Sequence, residues 1–317
     1  MSDFELVKCT DLVKWTAFVS SSIHGNKYAL AEVISALGCS ADYWFINRKG
    51  NPVAAIPIIT HNSVGQGLPI HSYYVGIMLH PEVTSSKDNR RTECEIAITQ
   101  FAMEALSLIY DQFEVSLHPT MKDIRGFDWF NYHTPQNGRA VISPQYTAIS
   151  NLQPITNIRD AARGSRRREE KYAFQRESLL FSYDGTVDEL LSLYKFTFAR
   201  QEIELTNETL KATRQFAEYL IESQQGDIAV VRDKEGKAVA AGVVMYDFHK
   251  VAHIPVVGTG ESRYGGTLLY FQMMEHAAKK GYQYMDFNGA NSPNRGYFKH
   301  SIGAKAQLFF HVRWVRP

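Results

Sequence analysis

The chain has 317 residues, with Lys+Arg 34 against Asp+Glu 33, a formal net charge of +1, 44% hydrophobic and 21% charged residues. This is a globular composition, long enough for two ordinary domains, and it argues against wholesale disorder and against a dedicated DNA binder. No apolar run reaches the roughly 18–20 residues a membrane span requires, and the opening MSDFELVKCTDLVKW lacks the apolar core of a signal peptide. The three cysteines, Cys9, Cys39 and Cys94, lack metal-ligand spacing and point to a reducing compartment. A cytoplasmic protein without a bound metal is expected.

Apolar positions every three or four residues predict a helix over 28–37, with Gly38 as its stop. A hairpin follows, with strands at 43–47 and 52–59 joined by the turn Arg48-Lys49-Gly50-Asn51. The stretch TECEIAITQFAMEALSLIY, residues 92–110, has a helical stripe, and a short strand follows at 113–117. Residues 146–150 read as a strand closing this first half. A linker begins at Leu152-Gln153-Pro154, and after it comes the basic run of 159–168.

The same order returns downstream. Residues 210–223 are helical, 227–232 and 239–245 form a hairpin around Asp233-Lys234-Glu235-Gly236, a further strand starts at Val251, a helix spans 267–280 and a strand lies at 284–287. The repetition of order and loop chemistry predicts two similar α/β (α+β) domains, 1–150 and 151–317, each a mixed, largely antiparallel sheet flanked by helices.

The residues suited to chemistry gather between Val256 and Gly303. Arg263-Tyr264-Gly265-Gly266-Thr267 enters a helix, where free N–H groups and the helix dipole favour a phosphate. A plain tight turn is the alternative. Asp286 and Asn288 stand where a strand runs into a loop, a carboxylate that can take a proton and an amide that can hold a hydroxyl or cap the turn. His253, in an apolar strand, is either a general base or a hydrogen-bonded structural residue. Arg200 and Glu202, just past a helix end, can reach the same cleft or stay in solvent.

The strand, the Arg/Gly loop, the helix and then AAKKGYQYMDFNG resemble the cofactor-binding half of the GNAT acyltransferase superfamily. Phe298-Lys299, with Gly303 four residues on, resembles the Fem-type branch and its acyl-CoA-using relatives, which pair two GNAT-like domains. The resemblance implies that residues 263–267 hold the diphosphate of acyl-CoA, and that the first domain faces the acceptor and the second the donor. Many single-domain relatives carry a tyrosine where this chain has Lys299, and here Tyr297 lies two residues earlier. Lys299 is therefore expected to stabilise an oxyanion or a substrate phosphate, or to supply a proton.

An N-acyltransferase follows as the leading expectation, with acyl-CoA as co-substrate and no metal. Its acceptor is expected to be a nucleotide-linked amino sugar for surface polysaccharide such as O-antigen. Arg163, Arg166 and Arg167 would then clamp its diphosphate, though a solvated helix start and an RNA contact remain open for that run. Tyr73 and Tyr74 would stack on its base or sugar, or else pack in the core. The runner-up is a Fem-type transferase that uses aminoacyl-tRNA and acts on a peptidoglycan precursor, which Lys299 and the basic run favour and the near-zero net charge disfavours. A third is a non-catalytic scaffold that binds acyl-CoA or a nucleotide.

Overall fold

The computed structural model describes residues 3–61, 64–65 and 67–317. Its strands in chain order are β1 (Phe4–Lys8), β2 (Ser40–Arg48), β3 (Asn51–His61), β4 (Val64–Gly65), β5 (Met78–Leu79), β6 (Gln112–Ser116), β7 (Val141–Asn151), β8 (Leu180–Ser182), β9 (Gly226–Arg232), β10 (Ala238–Tyr246), β11 (Val251–Thr259), β12 (Tyr284–Asp286) and β13 (Lys305–Val315). Contacts divide the chain into two units, residues 1–145 with 308–317, and residues 146–307. A division near 150 makes no provision for the C-terminal strand, whose residues from Leu308 on belong to the first unit. Among the described residues no helix is long and apolar enough to cross a membrane.

In the first unit β1, β2, β3 and β4 pair antiparallel in that order, β5 also joins β3, and β6 pairs with β13. The Asp88–Ile109 helix buries Ile98, Ala102, Met103 and Leu106 in one cluster with Ile46, Ile56 and Val115. The helix expected over 28–37 is a 3-10 turn, Lys27–Ala29, followed by a short helix, Ala31–Ala36. Leu30 between them is extended (φ −77°, ψ 143°) and breaks the run.

The second unit is a mixed sheet in the order β7, β12, β11, β10, β9, β8, antiparallel throughout except that β11 and β12 run parallel. The Gly265–Lys279 helix packs Leu268, Leu269, Phe271, Met273 and Ala277 with Ala229, Val231, Ala240 and Ile254 of the sheet. The Val187–Ala199 helix starts in a reciprocal cap, Thr186 with Glu189, which satisfies donors at its first turn. The stretch after Asp286, expected to be irregular, becomes a helix at Pro293–Ser301, with the proline in its first turn, where a missing N–H costs nothing.

Gly258 of β11 shows how tightly the Val187–Ala199 helix lies on the sheet. A Cβ there would sit 2.3 Å from the Tyr194 nitrogen and 2.4 Å from the Leu193 carbonyl carbon, both backbone atoms that cannot swing away. Gly258→Ala should therefore destabilise the protein at or above the upper end of the about 1–3 kcal/mol typical of overpacking. Urea unfolding followed by circular dichroism reads this as a lower midpoint, and an unchanged midpoint would contradict the packing.

Candidate active site

The parallel pairing of β11 with β12 lasts three residues, Val251 with Tyr284, Ala252 with Met285 and His253 with Asp286. Past Asp286 the chain turns towards β7. The Phe287 N–H donates to Ala148 O at 2.9 Å and the Ala290 N–H to Tyr146 O at 2.7 Å. β11 continues to Thr259, with no strand on that side among the described residues. Two strands that start together and then part leave a slot between residues 254–259 and 287–290, the kind of strand-end opening where α/β proteins place their working groups.

At the closed end of the slot lies a buried polar cluster. His253, Asp286, Asn288, Lys299, Asp247 and Thr147 are all buried. His253 Nε2 is 3.0 Å from Asp247 Oδ2, and its Nδ1 is 3.7 Å from Asp286 Oδ2 and 3.4 Å from the Asn288 amide nitrogen. Asp286 Oδ1 accepts from the Thr147 hydroxyl and, at 2.8 Å, from the Asn288 N–H. Burial alone would lower the His253 pKa, but the hydrogen bond and charge of Asp247, with the charge of Asp286, outweigh it and raise the value. With Asp247 on one side and Asp286 on the other, the buried ring is enclosed by the protein's own groups, which suits it poorly to serve as a general base.

Lys299 is 7% exposed, and its ammonium donates to three backbone carbonyls, Phe287 O at 2.7 Å, Asn288 O, and Gly289 O at 2.7 Å. An ammonium has three hydrogens, so all are committed to the protein's own chain. Burial pushes its pKa down to about 7, Asp286 opposing and Arg295 adding to the shift. Asn288, at the centre of this loop, has φ 51°, a left-handed conformation in which asparagine is among the better-tolerated residues. Tyr297 is not part of the cluster; on the Pro293–Ser301 helix its side chain faces solvent and is 70% exposed.

At the open end of the slot the Gly265–Lys279 helix begins. Ser262 Oγ accepts from the Gly265 N–H at 2.9 Å and from the Tyr264 N–H at 3.3 Å, and donates to Glu177 at 2.5 Å. The N–H groups of Gly266 and Thr267 meet no acceptor among the described residues. The Thr267 hydroxyl is already committed to Glu169 at 2.7 Å. Arg263 lies over the Tyr264 ring, and Arg200 donates to Thr259 O, Thr259 Oγ1 and Gly260 O, which ties the Val187–Ala199 helix end to the start of this loop.

The remaining candidates are placed elsewhere. Arg166 is bound to Glu169 at 2.6 Å and Ser301 at 2.7 Å, with its guanidinium over Phe298. Arg167 folds back on the carbonyls of Arg159, Asp160 and Ala162. Neither is left over as a clamp; the Arg163 side chain is exposed and has no hydrogen bond or ion pair among the described residues. Glu202 is an exposed residue at φ 58° beyond the helix end. Tyr74 is buried in the first unit edge-on to Phe309, and Tyr73 is half-buried against Tyr28. Asp247 and Thr147 were not anticipated. Asp247 stands just past the end of β10, much as Asp286 ends β12, a signal readable in the sequence, whereas Thr147 reaches Asp286 only through the register of β7 with β12.

The His253 arrangement predicts its titration. With a folded pKa above the ordinary 6.5, the residue adds stability that is fully present below that value and is lost as pH rises through the folded pKa. Nitrogen-15 NMR should find the ring still an imidazolium above pH 6.5, and Asp247→Asn should bring its midpoint down. A ring already neutral at pH 6 would contradict the pairing.

Residues 160–299 match the acetyltransferase (GNAT) domain model. No curated protein matches the sequence. Among solved structures, FemX is 11% identical, with 96% of each chain covered and a TM-score of 0.67. A tandem GNAT protein from the clavulanic acid biosynthesis pathway is 11% identical over 98% of this chain and 97% of its own, TM-score 0.55. L-PGS from Bacillus licheniformis is 16% identical over 96% and 92%, TM-score 0.54. At these identities the likeness is one of fold. The chain thus carries a GNAT acetyltransferase domain over residues 160–299 and has the two-domain GNAT fold of the tandem and Fem-type branch.

Proposed function

We propose that this GNAT-type acyltransferase moves an acyl group from a coenzyme A thioester to a primary amine. The observation that carries the reading is the parting of β11 and β12 after His253 and Asp286, together with the N–H groups of Gly266 and Thr267, which meet no acceptor among the described residues. A helix start of this kind suits the diphosphate, and the slot suits an extended pantetheine arm. In the reaction the amine nitrogen attacks the thioester carbon, the C–N bond forms, the C–S bond breaks, and the proton lost by the amine ends on the thiolate. The thioester is already activated, so the protein has to position the amine and stabilise the oxyanion. Lys299, with its hydrogens committed, acts through the loop it holds, and Asp286 and Asn288 lie on the same loop.

The acceptor in this reading is an amine on a phosphate-bearing small molecule, a nucleotide-linked amino sugar. Arg163 supports it more than Arg166 or Arg167, which the protein has already bound. A second reading, transfer from aminoacyl-tRNA as in Fem-type enzymes, is favoured by the likeness to FemX and by Phe298-Lys299.

Gly266 is the position for a test, because a Cβ there makes only an ordinary 3.4 Å contact with Thr259 Cγ2 and should leave the fold intact. Gly266→Glu puts a carboxylate where a diphosphate is expected. It should weaken acetyl-CoA binding in calorimetry by at least about tenfold, or roughly 1.4 kcal/mol, while the thermal midpoint holds. Unaltered acetyl-CoA affinity would sink the assignment, and turnover with charged tRNA where acetyl-CoA fails would put the second reading in its place.

A further inference from the structure

The loop that Lys299 holds contains four consecutive N–H groups. Those of Phe287, Asn288 and Ala290 donate to Ala148 O, Asp286 Oδ1 and Tyr146 O. The N–H of Gly289 meets no acceptor among the described residues, and Gly289 is only half-buried. Its direction follows from the peptide plane. In a trans peptide the C=O of one residue and the N–H of the next point opposite ways. The Asn288 carbonyl points at the Lys299 ammonium, so the Gly289 N–H points away from it. Glycine leaves the approach to this N–H clear of a side chain.

We propose that the Gly289 N–H is the donor that receives the thioester oxygen as it becomes an oxyanion, and that Lys299 is a positioning residue that aims it. The inference rests on the acyl-CoA reading and assigns the chemistry of the slot's far side. Three observations converge on it. Gly289 belongs to the segment bordering the slot, its N–H is the one in the loop left over, and the peptide is locked from both ends. Lys299 holds the carbonyls on either side of that N–H, and Asp286 holds the preceding N–H in place. A fixed backbone donor costs no reorganisation when the charge develops, which is why such donors are effective. The positive charge of Lys299 then acts at one remove, polarising the peptide whose N–H is the proposed donor.

The test compares acetyl-CoA with coenzyme A, which has the same diphosphate and pantetheine but no carbonyl. In a proton–nitrogen NMR spectrum of the full chain, the Gly289 amide should shift downfield with acetyl-CoA and not with coenzyme A, while the Gly266 and Thr267 amides respond to both. Lys299→Met should abolish the thioester-specific shift at Gly289 and keep the responses at Gly266 and Thr267. The wild-type comparison stands alone should that variant fail to fold. If both ligands bind and move Gly289 equally or not at all, the oxyanion assignment is overturned while the donor reading survives. If neither ligand moves Gly266 or Thr267, the donor reading falls and takes the assignment with it.

Discussion

An ammonium buried against three consecutive backbone carbonyls sets the geometry of the loop on which the proposed chemistry rests. Lys299 comes from the Pro293–Ser301 helix, and its partners are Phe287, Asn288 and Gly289, ten to twelve residues earlier in the chain. Without it the buried carbonyls of Phe287 and Asn288 would lose this donor, and an unsatisfied buried acceptor costs about 1–3 kcal/mol. The charge is itself costly to bury, and Asp286 is the carboxylate that offsets it. Asp286 also takes the Asn288 N–H and the Thr147 hydroxyl, so one carboxylate ties the loop to the strand beside it. Asp247 and His253 face each other beside it, leaving the cluster with two acids against two bases.

This cluster sits where β11 and β12 part, and the parting follows from local hydrogen bonding. After Asp286 the backbone finds its acceptors on Ala148 and Tyr146, so it cannot also follow β11. The left-handed Asn288 makes the turn, and Lys299 gathers the carbonyls the turn exposes. At the other end the glycine loop enters its helix with Ser262 serving the Gly265 N–H, and the N–H groups of Gly266 and Thr267 meet no acceptor among the described residues. The site therefore has backbone donors at both ends and charged side chains held behind one of them.

Much of this fold was legible because the apolar periods are clear. The two hairpins, the Asp88–Ile109 and Gly265–Lys279 helices and the strand carrying Asp286 lie within a few residues of where pattern and turn chemistry put them. The Pro293–Ser301 helix was hidden behind Asn, Ser, Pro and Gly, residues that read as loop until the proline is seen to stand in the helix's first turn. His253, Asp286, Asn288 and Lys299 were each visible as candidates, and the structure brings them together. Their partners were harder to foresee, because side chains meet through sheet register rather than sequence spacing. Lys299 could be singled out from its motif, but nothing in the sequence shows an ammonium spent on its own backbone. The arginine run was misleading in the opposite sense, since Arg166 and Arg167 satisfy neighbouring groups of the same unit.

Hydrogen–deuterium exchange of the full chain, with and without acetyl-CoA, tests both walls of the slot in one measurement. Protection of the helix start around Gly266 and of residues 286–290 together, with the Asp88–Ile109 helix unaffected, is the result predicted here. Saturating acetyl-CoA that leaves both segments exchanging as before, or that protects only residues outside the slot, would contradict the account.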